Sequence, residues 1–221
     1  MKLLPEILQS AAVIQAIRRD IHAHPELSFE EKRTSDVVAE KLQAWGIAVH
    51  RGLGKTGVVG TIEGTQGKGQ SIGLRADMDA LPLQEHNRFD HASTHDGKMH
   101  ACGHDGHVAM LLGAAEYLSK HRDFKGTVHF IFQPAEEGGG GAREMIKDGL
   151  FDLFPCDAVF GMHNWPGLAV GEFGVTPGPM MASSNEFVIT ITGKGGHAAL
   201  PHNSADPVFA AGQMLSALQG I

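Results

Sequence analysis

Apolar residues recur at helical spacing at the start of the chain, where Ile7, Leu8, Ala11, Ile14, Ile17 and Ile21 fall on one stripe and Arg18, Arg19 and Asp20 lie at its polar end. This predicts an amphipathic packing helix. A second helix is expected after Ser28-Phe29-Glu30-Glu31, which has the order of a capping box and precedes apolar Val37, Val38, Leu42 and Trp45, with Gly46 as the stop. Beyond Gly46 the texture changes. Short β-rich runs at 47–50, 58–62, 71–74, 127–132, 158–162 and 186–192 predict strands. Helical stripes lie between them, one through Val108, Leu111, Leu112, Ala115 and Leu118, another from Ala142 to Lys147. Strands alternating with helices indicate an α/β fold with a mixed sheet covered by helices.

Residues 181–221 supply only one strand, a glycine-rich turn at Gly193, Gly195 and Gly196, and one helix opened by Asp206-Pro207. A unit of about 40 residues rarely buries enough surface to stand alone. The expected organisation is therefore a first domain over 1–180 and the first part of a smaller, incomplete one over 181–221.

Composition narrows the function. The chain of 221 residues is 42% hydrophobic and 19% charged, ordinary globular content that excludes disorder as its dominant state. Eighteen Lys and Arg against 25 Asp and Glu leave a net charge of −7, and no basic run exceeds two residues, so a nucleic-acid partner is not expected. No apolar run approaches the ~20 residues that span a bilayer, so neither a signal peptide nor a membrane anchor is expected. Cys102 and Cys156 do not form a disulfide framework, which fits a reducing cytoplasm. The 14 His and 29 Gly are the unusual feature, and both concentrate in a few stretches.

The densest stretch is His100-Ala-Cys102-Gly-His104-Asp105-Gly-His107, a thiol and three imidazoles just ahead of the Val108 helix. Borderline-soft divalent metals take such donors, and the glycines let the backbone turn so that Cys102 and His104 converge. The competing reading makes Cys102 a nucleophile with His104 or His107 as its base, and spacing leaves it open. Glu136 and Glu137 follow the apolar strand that ends in Gln133-Pro134 and precede four glycines. On an extended segment adjacent side chains point to opposite sides, so one acid is expected to ligate metal while its neighbour faces substrate. His163 leaves the strand at 158–162, and Asp77 and Asp79 leave another, at sheet ends where α/β proteins place ligands. Asp77 is read as orienting a metal-bound histidine from outside, and Asp79 as capping a turn.

Taken together, RRDIHAHPELSFEE, LRADMDALP, HACGHDGHVAML, FQPAEEGGGGA, GMHNWP and GKGGHAALPH come in one order along the chain. This set resembles the amidohydrolase branch of the metal-dependent aminoacylase and carboxypeptidase family, which includes hippurate hydrolases, N-acyl-L-amino acid amidohydrolases and auxin-conjugate hydrolases. The resemblance implies a zinc-aminopeptidase-like catalytic domain joined to a smaller α+β lid and dimerisation domain. It also implies two divalent metal ions, Mn or Zn, held by Cys102, His104, Glu137 and His163. Glu136 becomes the general base and acid, and His197, in the Gly195-Gly196 turn, the lid histidine that approaches the scissile carbonyl. Arg75 stands where peptidase relatives carry a metal-binding His, and Cys102 is the distinctive ligand of the amidohydrolase branch. The implied reaction cleaves the amide of an N-acyl amino acid to a carboxylic acid and an amino acid. Family members are longer and commonly form homodimers, so the alternatives are a metal-binding fragment without turnover, or a dipeptidase of the same family.

Overall fold

The computed structural model describes residues 4–183 and 185–221. The chain divides into two compact units, Met1–Gly171 and Glu172–Ile221. The first unit is built from helices α1 (Pro5–Ala23), α2 (Lys32–Ala44) and α3 (His104–Lys120), strands β1 (Ala48–Leu53), β2 (Gly57–Glu63), β3 (Ser71–Asp77), β4 (Thr127–Gln133) and β5 (Ala158–Gly161), and the short helices α4 (Gly141–Lys147) and α5 (Leu150–Leu153). The sheet order is β1-β2-β4-β3-β5. β1 and β2 pair antiparallel, as do β2 and β4, whereas β3 runs parallel to both β4 and β5. This is the mixed sheet that the alternating pattern predicts.

The sheet is covered on both faces, which explains why its central strands read as nearly continuous apolar runs. Val58 and Ile62 of β2 and Val128, Phe130 and Phe132 of β4 face one side, where they pack with Ile17 and Ile21 of α1, Val38 and Leu42 of α2, and Val108 and Leu112 of α3. The alternate residues Val59 and Ile131 face the other side and pack with Leu53, Met145 and Leu150. The period of two thus assigns each side chain to one of two cores.

The packing differs from the sequence reading in three places. Ile7 and Leu8 are exposed, so only the C-terminal half of α1, from Ile14 onward, reaches the core. Ser28 does not cap α2. The carboxylate of Glu26 accepts from the backbone N–H groups of Arg33 and Thr34 at 2.9 and 2.8 Å and from Thr34 Oγ1 at 3.0 Å, and the helix begins later, at Lys32. A longer acidic side chain does the work expected of the hydroxyl. Finally, 186–192 forms no strand among the described residues, and Phe187 and Val188 are exposed. A strand needs a ladder partner, and none is paired with this segment.

In the second unit, Asp206 caps α6 (Pro207–Leu218) as its sequence predicts, with Oδ1 accepting from the N–H groups of Val208 and Phe209 at 2.9 and 3.4 Å. A 3-10 turn over Pro201–Asn203 and a bridge between Lys194 and Ala205 complete it. Among the described residues no helix is long and apolar enough to cross a membrane.

Phe130 is fully buried on the central strand β4. Replacing it with Ala should cost about 3–5 kcal/mol, read from the urea midpoint. A loss below about 1 kcal/mol would show that the first core does not hold this unit together.

Candidate metal centre

The parallel pairing of β4, β3 and β5 sends their C-terminal ends to one edge of the sheet, with Asp77 opposite Gln133 in register and Gly161 opposite Arg75. Three chain segments leave this edge: Asp77 at the end of β3 with Asp79 beyond it, Glu136 and Glu137 after β4, and His163 and Asn164 after β5. The N-terminus of α3 meets them with His104 as its first residue. Gly103 makes that meeting sterically feasible. Its φ is +83°, and a Cβ there would lie 2.3 Å from Asn164 Nδ2, which donates to the Gly103 carbonyl at 2.9 Å.

Donor atoms converge in three overlapping groups, each with all its ligand atoms within 4.8 Å of one another: Cys102, His104 and His163; His104, Glu136 and Glu137; and Asp77, His104 and His107. His104 belongs to all three. Its Nε2 is 3.9 Å from a carboxylate oxygen of Glu136, 3.9 Å from one of Glu137 and 3.7 Å from Asp77 Oδ2. Cys102 Sγ lies 3.3 Å from His163 Nε2. The structure therefore brings Cys102, His104, Glu137 and His163 to one place, together with Glu136. His197 belongs to the second unit, where its Nδ1 accepts from Ala199 N at 3.1 Å.

Hydrogen bonds set the orientation of the imidazoles. His163 Nδ1 donates to the carbonyl of Asn164 at 2.6 Å, which leaves the Nε2 lone pair facing Cys102. His107 is fully engaged: Nδ1 donates to Asp77 Oδ1 at 2.6 Å and Nε2 accepts from Asn164 N at 3.0 Å. It thus ties α3 to β3 and to the segment after β5, although it lies in the motif of candidate ligands.

One expectation is corrected here. Glu136 and Glu137 do not point to opposite sides, since both carboxylates reach His104 Nε2. The chain is not extended there: Ala135 has φ +50° and turns the two acids inward. Asp77 fixes the His107 ring through the 2.6 Å bond to its Oδ1. It faces the same Nε2 as the glutamates, with Arg75 Nη1 at 2.8 Å from its Oδ2. The position behind His104 belongs to Asp79, whose Oδ1 lies 3.4 Å from His104 Nδ1. Asp79 also accepts from the N–H groups of Glu136 (3.0 Å) and Glu137 (2.9 Å) and from Ser28 Oγ (2.8 Å). It does cap a turn, but the turn lies 57 residues away, beyond what local spacing reveals.

The sequence signature of Peptidase family M20/M25/M40 matches residues 73–220, which include every one of these donors. The chain belongs to this family. It is 49% identical to the hippurate hydrolase of Campylobacter jejuni, over all of this chain and 57% of that protein. It is 50% identical to the N-acetylcysteine deacetylase of Bacillus subtilis, over 93% of this chain and 54% of that protein. The crystal structure of the Bacillus subtilis YXEP protein, described as a dinuclear metal binding peptidase of the M20 family, superposes with a TM-score of 0.74 at 45% identity, covering 78% of this chain and 48% of that one. The chain spans about half the length of the curated relatives it matches.

The donor set of this M20 chain can be tested against a cation on its own terms. His104 is fully buried, and neither ring nitrogen has a hydrogen-bond partner. A buried imidazole so placed costs about 1–3 kcal/mol unless something else meets its lone pair. Burial works against protonating His104, but the Asp79 contact and the charges of Asp77, Asp79 and Glu136 outweigh it and raise its pKa. Burial and the neighbouring Glu137, Glu136 and Asp77 push the Cys102 thiol up to about 12. These residues crowd negative charge around one buried nitrogen and one protonated sulfur. A divalent cation fits that arrangement, because it satisfies the nitrogen, releases the thiol proton and offsets the carboxylates at once.

Gly103→Ala should lower divalent-metal affinity by about 10- to 100-fold in calorimetric titration, because the new Cβ displaces Asn164 and with it His107 and the start of α3. Unchanged affinity would mean that the turn at Gly103 does not set the donors.

Proposed function

We propose that the whole protein is a metal-dependent amidohydrolase that splits an N-acyl amino acid into a carboxylic acid and an amino acid. The observation that carries this is the convergence of Cys102, Glu136, Glu137 and His163 around the buried, unpartnered imidazole of His104. The names of the relatives, a hydrolase of hippurate and a deacetylase of N-acetylcysteine, support N-acyl amino acids as the substrate class. Cys102, His104, Glu137 and His163 hold two divalent ions, Mn or Zn, and Asp77 and His107 fix the shell around them. When bound, such ions polarise a carbonyl and lower the pKa of water.

Glu136 is the acid and base of the reaction. Its side chain is less buried than that of Glu137, at 43% against 25% exposure, so it is the one placed to meet solvent and substrate. Partial burial and the charges of Asp77 and Glu137 raise its carboxyl above the usual range. That shift favours a group that must take a proton from water and hand it to the departing amine. His197 donates from Nε2 to the carbonyl oxygen as charge develops there. Ala199 N–H already occupies Nδ1, which assigns the ring proton to Nε2. Residues 1–180 then form the N-terminal part of the catalytic domain, and 181–221 the first part of a lid through which two copies dimerise. The two free cysteines fit a cytoplasmic enzyme.

The test is hydrolysis by the full-length protein, loaded with Mn or Zn, of benzoyl-, acetyl- and indoleacetyl-amino acids set against unmodified dipeptides. Glu136→Gln should retain both metal ions by elemental analysis and lower kcat by about 10²- to 10⁴-fold. Cleavage of dipeptides alone would make it a dipeptidase, and a Glu136→Gln protein that turns over normally would remove Glu136 from its role.

A further inference from the structure

Glu31 is a fully buried carboxylate that the site described above does not use. It lies just before α2, more than a hundred residues ahead of the acid pair, and has no exposure to solvent. Each of its oxygens is nonetheless engaged. Oε1 accepts from the N–H of Phe29 at 3.0 Å and from the N–H of Ala135 at 2.9 Å, and Oε2 accepts from Thr56 Oγ1 at 2.6 Å. Phe29 and Ala135 are two of three non-glycine residues with positive φ among the described residues, at +65° and +50°. Both conformations cost an L-residue on the order of 1 kcal/mol and persist only where the surroundings enforce them.

Ala135 is the residue that turns Glu136 and Glu137 toward His104. Its amide is held by Glu31, and the next two amides are held by Asp79 at 3.0 and 2.9 Å. Three consecutive backbone N–H groups are thus gripped by two buried carboxylates, and the side chains carried by the second and third are the two acids of the metal centre. There is little room for another path: a Cβ on Gly139 would lie 2.7 Å from the Ala135 methyl, and one on Gly141 1.8 Å from the Pro134 carbonyl.

We propose that Glu31 is a positioning residue for the acid pair: by holding Ala135 in the left-handed conformation it aims Glu136 and Glu137 at the centre without touching it. This rests on the function proposed above for its kinetic consequence, but its structural consequence stands apart. Removing the carboxylate frees Ala135 to relax to negative φ, and the carboxylates downstream swing with it. Glutamine keeps an oxygen for the two N–H groups and offers its NH₂ to Thr56, whose hydroxyl can accept as well as donate. Glycine at 135 takes positive φ without strain.

The experiment uses the full-length protein in four forms: wild type, Glu31→Ala, Glu31→Gln and Glu31→Ala combined with Ala135→Gly. Hydrogen exchange followed by mass spectrometry reads the peptide containing 135–137, and steady-state kinetics with N-acyl amino acids read turnover. Glu31→Ala should speed exchange at 135–137 by 10-fold or more while the β4 amides 128–132 keep their protection. It should lower kcat by about 10- to 100-fold with KM within about threefold. Glu31→Gln should restore both to within about threefold, and Ala135→Gly should recover at least part of the kcat lost in Glu31→Ala. The proposal is overturned if Glu31→Ala leaves exchange at 135–137 and kcat unchanged, or if Glu31→Gln fails as badly as Glu31→Ala while both melt like the wild type. Should Glu31→Ala not fold, Glu31→Gln decides: wild-type kinetics and exchange support the role, and impaired kinetics in a folded protein refute it. If the wild type hydrolyses no N-acyl amino acid, the functional reading fails, and the exchange data still decide for or against Glu31.

Discussion

A carboxylate moved out of water costs several kcal/mol unless hydrogen bonds or opposite charge replace its hydration, and four of the acids buried among the described residues, Glu31, Asp77, Asp79 and Asp105, organise the segments around the donors. Each is tied to a different part of the chain. Glu31 holds Ala135, Asp79 holds Glu136 and Glu137, Asp77 holds His107 with Arg75 beside it, and Asp105 accepts from Arg18 and His22 of α1. Because such groups must be satisfied or the fold loses stability, the demand for partners dictates where the segments leaving β3, β4 and β5 go. Glu136, which is exposed, and Glu137, which is half-buried, face the donors and remain available for chemistry.

The same demand explains the low pKa of Asp77. Burial alone would raise it, yet the hydrogen bond from His107 and the charges of Arg75 and His104 hold it at about 2. Asp77 is therefore held as an anion well below the usual carboxylate range. His100 shows the opposite solution. It is buried without a hydrogen-bond partner, and burial depresses its pKa to about 4, so it stays neutral beside the donors. Fixed charge and fixed neutrality together define the electrostatic field in which Cys102 and His104 sit.

Much of this was legible in the chain. The helical stripes of α2 and α3, the apolar runs of β2 and β4, and the clustering of Cys, His and Glu at three segment ends are local patterns, and local patterns survive in a one-dimensional reading. What was not legible depended on sequence-distant partners. Nothing near Ser28 reveals that its hydroxyl goes to Asp79 rather than to α2, nor that Glu26 caps the helix instead. The bond from Ala135 to Glu31 spans 104 residues, and its geometric cause, a positive φ at an alanine, leaves no mark in composition. Asp77 and Asp79 stand two positions apart and would share a face on an extended segment, so nothing in LRADMDALP reveals that one faces Nε2 of His104 and the other Nδ1.

The closest rival to a metal centre is a thiol nucleophile, and the contact of 3.3 Å between Cys102 Sγ and His163 Nε2 is the geometry such a pair would have. The surroundings decide between them. A catalytic cysteine needs a depressed pKa, supplied by nearby positive charge or a helix N-terminus. Here the N-terminus of α3 does lie close, but Glu136, Glu137 and Asp77 prevail with burial and drive the thiol up to about 12. At neutral pH such a sulfur is far from thiolate, and Nδ1 of the neighbouring His163 donates to a backbone carbonyl, not to a carboxylate. The carboxylates that would defeat nucleophilic catalysis are the feature that makes the same sulfur a good donor once a divalent cation displaces its proton. One arrangement of charge thus argues against the first chemistry and for the second.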